Sequence, residues 1–316
     1  MPSLREVKDR ISSVRSTLKI TSAMKLVASS KLLRAQRTIE ALRPYEEALG
    51  RILATVQGDS SLTLNSSSLS FRPERSGAEG SIATPSILLA FSGNTSMCGA
   101  FNANAIKAAL ATAKACPGPV EVWVFGRKMA QALARAGIPV ARDFSSLISK
   151  PDFEAVAAIS AELRGLCDAG SISGATLVYN HFVSTGRQQV VTESFLGSTQ
   201  TQLPDNQLHE QSACGDLPAG RMDKSLESSD LDLQPDYIFE PSRAELLESL
   251  RPQVLDLRLY AALLDSIAAE HAARMVAMQT ATDNAENLLA ELTLEYNKSR
   301  QQKITAEILD LVAAEA

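Results

Sequence analysis

Aromatic residues are few: nine Phe, five Tyr and one Trp among 316 residues that are 45% hydrophobic overall. The apolar content therefore sits in Ala, Leu and other aliphatic side chains, which suits close helix packing more than a thick core. Cysteine is also sparse. Cys98, Cys116, Cys167 and Cys214 are scattered with no C-x-x-C pair, which signals neither a zinc site nor a disulfide framework. Long apolar runs are missing too, none approaching the roughly 18 to 20 residues needed to cross a bilayer. The first residues, MPSLREVKDRI, enter a charged helical pattern at once, without a signal h-region or an acid-free Arg/Ser-rich presequence. A protein made and kept in the cytosol is expected, reaching a membrane only through partners.

Proline and glycine are both absent from Glu270 to Ala316. Steps of three and four residues there land on Met275, Met278, Thr282, Ala285, Leu289, Leu292 and Tyr296, and upstream on Ala268, Leu264, Ala261, Leu257, Val254, Leu250 and Leu247. This is one helix with a narrow apolar stripe, about 100 Å long at helical rise. The same steps from Leu4 give Val7, Ile11, Val14, Leu18, Thr21, Lys25, Ala28, Leu32, Ala35, Ile39, Leu42, Glu46, Leu49, Leu53 and Val56. A second rod of about 80 Å follows. A narrow stripe needs a partner stripe, so the two termini are expected to form a long antiparallel coiled coil with an open α/β domain inserted between them.

Four parts result: an N-terminal helix over 1–57, a flexible connection over 58–82, the α/β domain over 83–240 and a C-terminal helix over 241–316. Ser3 with Glu6 and Ser242 with Glu245 read as capping boxes at the two helix starts. Pro44 should kink the first helix, and Pro252 should bend or restart the last one. Inside the domain, strands are expected at Ile87–Phe91, Val120–Phe125 and Pro139–Arg142, alternating with helices at Asn102–Ala115, Arg127–Ala136 and Asp152–Asp168. That alternation argues for a parallel sheet. Thr176–Val183 and Gln189–Leu196 then read as a hairpin around Ser184-Thr185-Gly186. The acidic stretch 198–236 reads as a mobile surface loop, with Tyr237-Ile238-Phe239 as a closing strand.

Charge is uneven beneath a net of −5: residues 1–43 carry ten Lys and Arg against Glu6, Asp9 and Glu40. Without interleaved aromatics and with an acidic total, this face is expected to meet acidic protein loops, not nucleic acid.

Several runs carry a family resemblance. Ser12 to Ala28 (SSVRSTLKITSAMKLVA), Ala272 to Met278 (AARMVAM), Thr280 to Ala285 (TATDNA), Tyr296 to Gln301 (YNKSRQ), Ile304-Thr305 and the loop Cys98-Gly99-Ala100-Phe101-Asn102 resemble the gamma subunits of F-type ATP synthases. The likeness spans nearly the whole chain, sparing mainly 58–82 and 198–236. It implies a non-catalytic central shaft that couples ion-driven rotation of a membrane ring to conformational changes in catalytic beta subunits. Implied partners are three alpha and three beta subunits, an epsilon subunit and the membrane c-ring, at the cytoplasmic face of a bacterial inner membrane. No cofactor and no metal are implied. Chloroplast members carry a regulatory cysteine pair in an insertion; the insertion here holds Cys214 alone, so that switch is not expected.

Two stretches carry candidate site residues. The loop Ser92-Gly93-Asn94-Thr95-Ser96-Met97-Cys98-Gly99-Ala100 leads from strand to helix but lacks both glycine fingerprints of nucleotide sites, so a structural turn is expected. The family usually has an acidic residue where Asn94 stands. Cys98 as a nucleophile would need a base from His181, His209 or His271, and no catalytic set emerges. The second place is the coil itself, where Thr21 and Lys25 beside Met24, and Ser299 and Lys303, put polar groups on the apolar stripes. On residues alone they either tune register or meet a partner. The resemblance implies beta-subunit contact for Met24, Lys25, Arg274, Gln301 and Thr305. It also implies an apolar sleeve of alpha and beta subunits around the tip residues Ile304, Ile308, Leu311 and Val312, which lie past the first helix's reach. Readings from other classes are a scaffold whose inserted domain binds a nucleotide and an enzyme built on Cys98.

Overall fold

The computed structural model describes residues 4–57, 84–116, 118–196, 240 and 242–315. In chain order the elements are α1 (Leu4–Gln57), β1 (Ser86–Phe91), α2 (Phe101–Ala115), β2 (Val120–Phe125), α3 (Arg127–Arg135), β3 (Val140–Asp143), α4 (Ser145–Ser149), α5 (Phe153–Asp168), β4 (Gly174–Ser184), β5 (Arg187–Leu196) and α6 (Arg243–Glu315). The expected capping box at Ser3, the connection 58–82, the acidic loop 198–236 and the strand at Tyr237–Phe239 lie outside the described residues.

α1 and α6 pack together as the expected antiparallel pair. Every described position of the α1 stripe from Leu4 to Leu53 is buried or half-buried, polar Thr21, Lys25 and Glu46 included. Facing them on α6 are buried Leu264, Ala268, Met278, Thr282, Ala285 and Leu292. At one level the contact is polar: Thr282 Oγ1 lies 3.0 Å from Thr21 Oγ1, inside the interface. Both helices run through their prolines without interruption. The start of α6 is capped, with Glu245 N–H donating to Ser242 Oγ at 3.3 Å.

The sheet has order β3-β2-β1-β4-β5, with β5 antiparallel to β4 and the other pairings parallel. Its central strands are buried on both faces, so they read as continuous apolar runs. Leu88, Ala90, Val122, Val124 and Val178 face Ala105, Ala109, Met129 and Leu133 of α2 and α3. Their neighbours Ile87, Leu89, Phe91, Trp123, Phe125 and Leu177 point the other way, into a larger core with Val156, Ile159 and Leu163 of α5 and Leu259, Leu263 and Ile267 of α6. Period-two alternation thus assigns successive residues to different cores.

Three local expectations change. β3 is shifted by one residue, to Val140–Asp143, and α4 at Ser145–Ser149 was not anticipated because five residues give no helical period. The narrow stripe fails over the middle of α6: Leu257, Leu259, Ala262, Leu263, Leu264, Ser266, Ile267, Ala268, Ala269 and Ala272 are all buried. There the helix is clamped between α1 on one side and the sheet domain on the other. Each fully buried Leu in that clamp contributes roughly 1.5–3 kcal/mol.

Candidate functional site

The loop after β1 is tied down residue by residue. Ser92, fully buried, donates its N–H to Phe125 O at 2.7 Å, and its Oγ accepts from Met129 N–H at 3.0 Å. Asn94 both gives and takes: Nδ2 donates to Ser145 O (2.8 Å) and Ser149 Oγ (3.1 Å), while Oδ1 accepts from Arg127 N–H (3.1 Å). An ionised carboxylate at this position could not donate, so the amide suits these three partners. Asn102 closes the turn, accepting from Gly93 N–H at 2.9 Å and donating to Thr95 O at 3.1 Å. Met97 has φ of 67°, a left-handed conformation that costs a non-glycine residue roughly 1 kcal/mol or more. These bonds tie Ser92, Asn94 and Asn102 to neighbouring backbone and side chains. Cys98 is 2% exposed and packs with Phe101 and Ala269, and burial foremost, then the Glu270 carboxylate, pushes its thiol above the usual range. That disfavours the thiolate a nucleophile needs.

Arg274 is held by this loop. Its Nη2 donates to Thr95 Oγ1 and to Glu270 Oε1, both at 2.6 Å, and the side chain is 16% exposed. Nη1 lies 3.4 Å from His271 Nδ1. Burial first, then the positive Arg274 and Lys31, pull the His271 imidazole down to about 4. It is therefore neutral near pH 7, and the arginine makes Nδ1 the natural acceptor.

Further polar side-chain pairs strap α6 to the domain. Arg164 of α5 reaches Asp256 at 2.5 Å and Pro252 O at 2.9 Å. Arg258 pairs with Glu193 of β5 at 3.0 Å, and His181 of β4 meets Asp265 at 2.5 Å. Burial is the main reason the Asp265 and Glu46 carboxyls rise above the ordinary range. His181 thus serves a helix–sheet contact. Sequence reasoning passed over Glu270, Asp256, Arg258 and Asp265. The available signal was charge in α6 on faces that its Ala- and Leu-rich stretch should bury.

The remaining anticipated residues fall in two places. Met24 is 38% exposed and Lys25 half-buried, on α1 beside the Thr21–Thr282 layer. Gln301 and Thr305 are exposed, with Thr305 Oγ1 donating back to Gln301 O at 2.9 Å. With Thr21 opposite Thr282, the level of Met24 and that of Gln301 are about 30 Å apart along the rod. Arg274 lies about a turn and a half from Met24's level, though its head group turns toward the domain. Ile304 and Ile308 are 47% and 54% exposed; Leu311 and Val312 continue the helix, their side chains outside the described residues. Seventeen residues separate Leu4 from Thr21, and seventeen on from Thr282 is Ser299, so α6 overshoots the first described turn of α1. No cluster of three or more His, Cys, Asp or Glu able to hold a metal occurs among the described residues. Nor is any described helix long and apolar enough to cross a membrane.

A protein family described as ATP synthase matches residues 3–316. The ATP synthase gamma chain of Bacteroides thetaiotaomicron is 40% identical over 316 residues, covering 99% of this chain and 98% of the relative. That of Flavobacterium psychrophilum is 37% identical over 317 residues, covering 99% and 97%. Among solved structures, a chain of the Euglena gracilis mitochondrial ATP synthase (OSCP/F1/c-ring) superposes with TM-score 0.58 at 18% identity, over 98% of this chain and 93% of that one. A chain of the Tetrahymena thermophila mitochondrial ATP synthase central stalk and c-ring gives 0.51 at 20%, over 83% and 99%. These structural likenesses establish the fold, and the relatives, matched along nearly their full length, establish more: this chain belongs to the ATP synthase gamma chain family.

Proposed function

We propose that this chain is the central rotating shaft of an F-type ATP synthase, non-catalytic by itself, seated peripherally on the cytoplasmic face of a bacterial inner membrane. Rotation of an ion-driven membrane c-ring turns it inside a ring of three alpha and three beta subunits, with an epsilon subunit beside its sheet domain. The observation that carries this reading is the distal end of α6, which runs past the first described turn of α1 and leaves Ile304 and Ile308 exposed. Such side chains gain from a surrounding apolar sleeve, and an undirected apolar contact permits turning. The outer face of α1 adds to this with Ile20, Met24 and Val27, all exposed near one level.

The two faces of the coil differ in chemistry, so each orientation stabilises a different beta conformation by differential affinity. Met24 and Lys25 at one level, and Gln301 and Thr305 at the other, are the beta-facing groups; Arg274 stands about a turn and a half to the domain side of Met24's level, with its head group committed elsewhere. Co-expression with alpha and beta subunits from the same source, followed by purification and a Mg-ATP hydrolysis assay, tests this. One copy of this chain per three alpha and three beta, with ATPase that depends on it, is expected. Failure to co-purify with well-folded partners would overturn the reading.

A further inference from the structure

We propose that Arg274 and Glu270 form an internal strut that locks the Ser92–Cys98 loop to α6, so that the sheet domain and the shaft turn as one body. The coupling part of this rests on the shaft reading; the strut itself does not. Arg274 looks like an outward-facing cation on a coil, and the family likeness implies a beta-subunit contact for it. Its geometry is inward. Three of its hydrogen-bond contacts lie within the chain, to Thr95 Oγ1, Glu270 Oε1 and His271 Nδ1. Glu270 is 4% exposed, and a buried carboxylate of this kind is tolerable where a charge-assisted partner meets it.

The loop is shaped to receive the pair. A Cβ at Gly93 would lie 2.8 Å from Glu270 Cδ and 2.9 Å from Oε1, so the backbone closes on the carboxylate where a side chain is missing. Asn102 then fixes both ends of the turn by holding Gly93 N–H and Thr95 O. Below it, Cys98 and Phe101 pack on Ala269 and Ala273, one helical face with Glu270 and Arg274 beside it. Met97 keeps its left-handed backbone within this frame, as strained residues do when their surroundings over-determine them.

A strut at this level has mechanical consequence. Arg164–Asp256, Arg258–Glu193 and His181–Asp265 tie the domain to α6 along one flank. The Thr95 contact lies beyond them toward the distal rod, nine residues past Asp265 on α6, where it lengthens the lever over which twist passes between domain and helix. Arg274 and Glu270 are thus positioning residues.

The test combines two readouts on Arg274→Ala, Arg274→Lys, Thr95→Val and the Arg274→Ala/Thr95→Val double variant. Hydrogen exchange on the full-length chain reads the strut directly. The Gly93 and Phe101 amides, bonded to Asn102 Oδ1 and Cys98 O, should exchange about 10- to 100-fold faster in Arg274→Ala, the factor expected for losing charge-assisted bonds, and Arg274→Lys should recover part of it. In the membrane-bound complex, ATP-driven ion pumping per ATP hydrolysed should fall in Arg274→Ala and in Thr95→Val, with the double variant no worse than the stronger single. Unchanged loop exchange would overturn the strut, as would multiplying losses in the double variant, which would mean that Arg274 acts outward on a partner. Thr95→Val changes one exposed hydroxyl and keeps the test meaningful should Arg274→Ala fail to fold. If the wild-type complex does not assemble, the shaft reading falls while the exchange result still decides the strut.

Discussion

Replacing the polar layer of the coil should reveal an interaction that single substitutions overstate. Thr282 Oγ1 contacts Thr21 Oγ1 at 3.0 Å and Met278 O at 2.8 Å, while Thr21 Oγ1 contacts Leu18 O at 3.0 Å. Both threonines are nearly buried, at 7% and 9% exposure. Thr282→Val removes one hydroxyl of nearly the same shape. Thr21 keeps its donor bond to Leu18 O, so no buried donor is stranded, and the loss is one bond of about 1 kcal/mol. Thr21→Val alone should cost about the same. In the double variant both partners vanish together and two methyl groups meet in an apolar stripe, so the sum of about 2 kcal/mol should shrink to about zero or turn slightly stabilising. The assay is thermal and urea unfolding of the full chain and its three variants under one condition. A double variant as unstable as the two singles added together would refute the account, since it would mean that the hydroxyls act independently and not on one another. The same double variant tests register: without the polar layer the apolar stripes retain fewer marks against sliding by a heptad.

Two further outcomes follow from geometry. Gly126 has φ of 118°, and a Cβ there would meet Ser92 O at 2.2 Å, where β1, β2 and α3 converge. Gly126→Ala should therefore lose several kcal/mol, roughly 1 from backbone conformation and 1–3 or more from overlap, seen as a large fall in melting temperature; a loss below about 1 kcal/mol would contradict the packing described. His271 should titrate near 4 in a proton NMR experiment, not near the ordinary 6.5. Because its folded value is lowered, the folded state binds fewer protons between pH 4 and 6.5, so its contribution to stability is full above 6.5 and lost as pH falls toward 4. Compared with His271→Gln, wild type should lose about 2 kcal/mol across that window, discounted for its partial exposure, and a midpoint at or above 6 would refute the buried, arginine-flanked placement.

Much of this protein is legible in the chain because its two longest elements obey a one-dimensional rule. A rod pressed against another rod must repeat its apolar residues every three or four positions, and α1 keeps that rule from Leu4 to Leu53, with even Lys25 and Glu46 half-buried where the period puts them. The alternation of strand and helix between Ile87 and Leu196 is similarly local, since both faces of a parallel strand demand apolar residues and the helices between them carry their own period. Loop residues such as Asn94 and Gly93 can be found by composition, though not their partners. Periodicity has nothing to say about which face meets which neighbour. That Leu259, Leu263 and Ala269 of α6 are buried off the stripe follows from the sheet domain closing over the helix, a contact between residues far apart in sequence. Likewise Arg274 reads as a surface cation from its sequence neighbours, and 179 residues separate it from the threonine that it bonds. The sequence by itself determined the rods, the inserted sheet and the family, because these depend on spacing along one chain; the tertiary structure alone decided where buried charges found partners, because desolvating an ion is tolerable only where a distant residue arrives to pair with it.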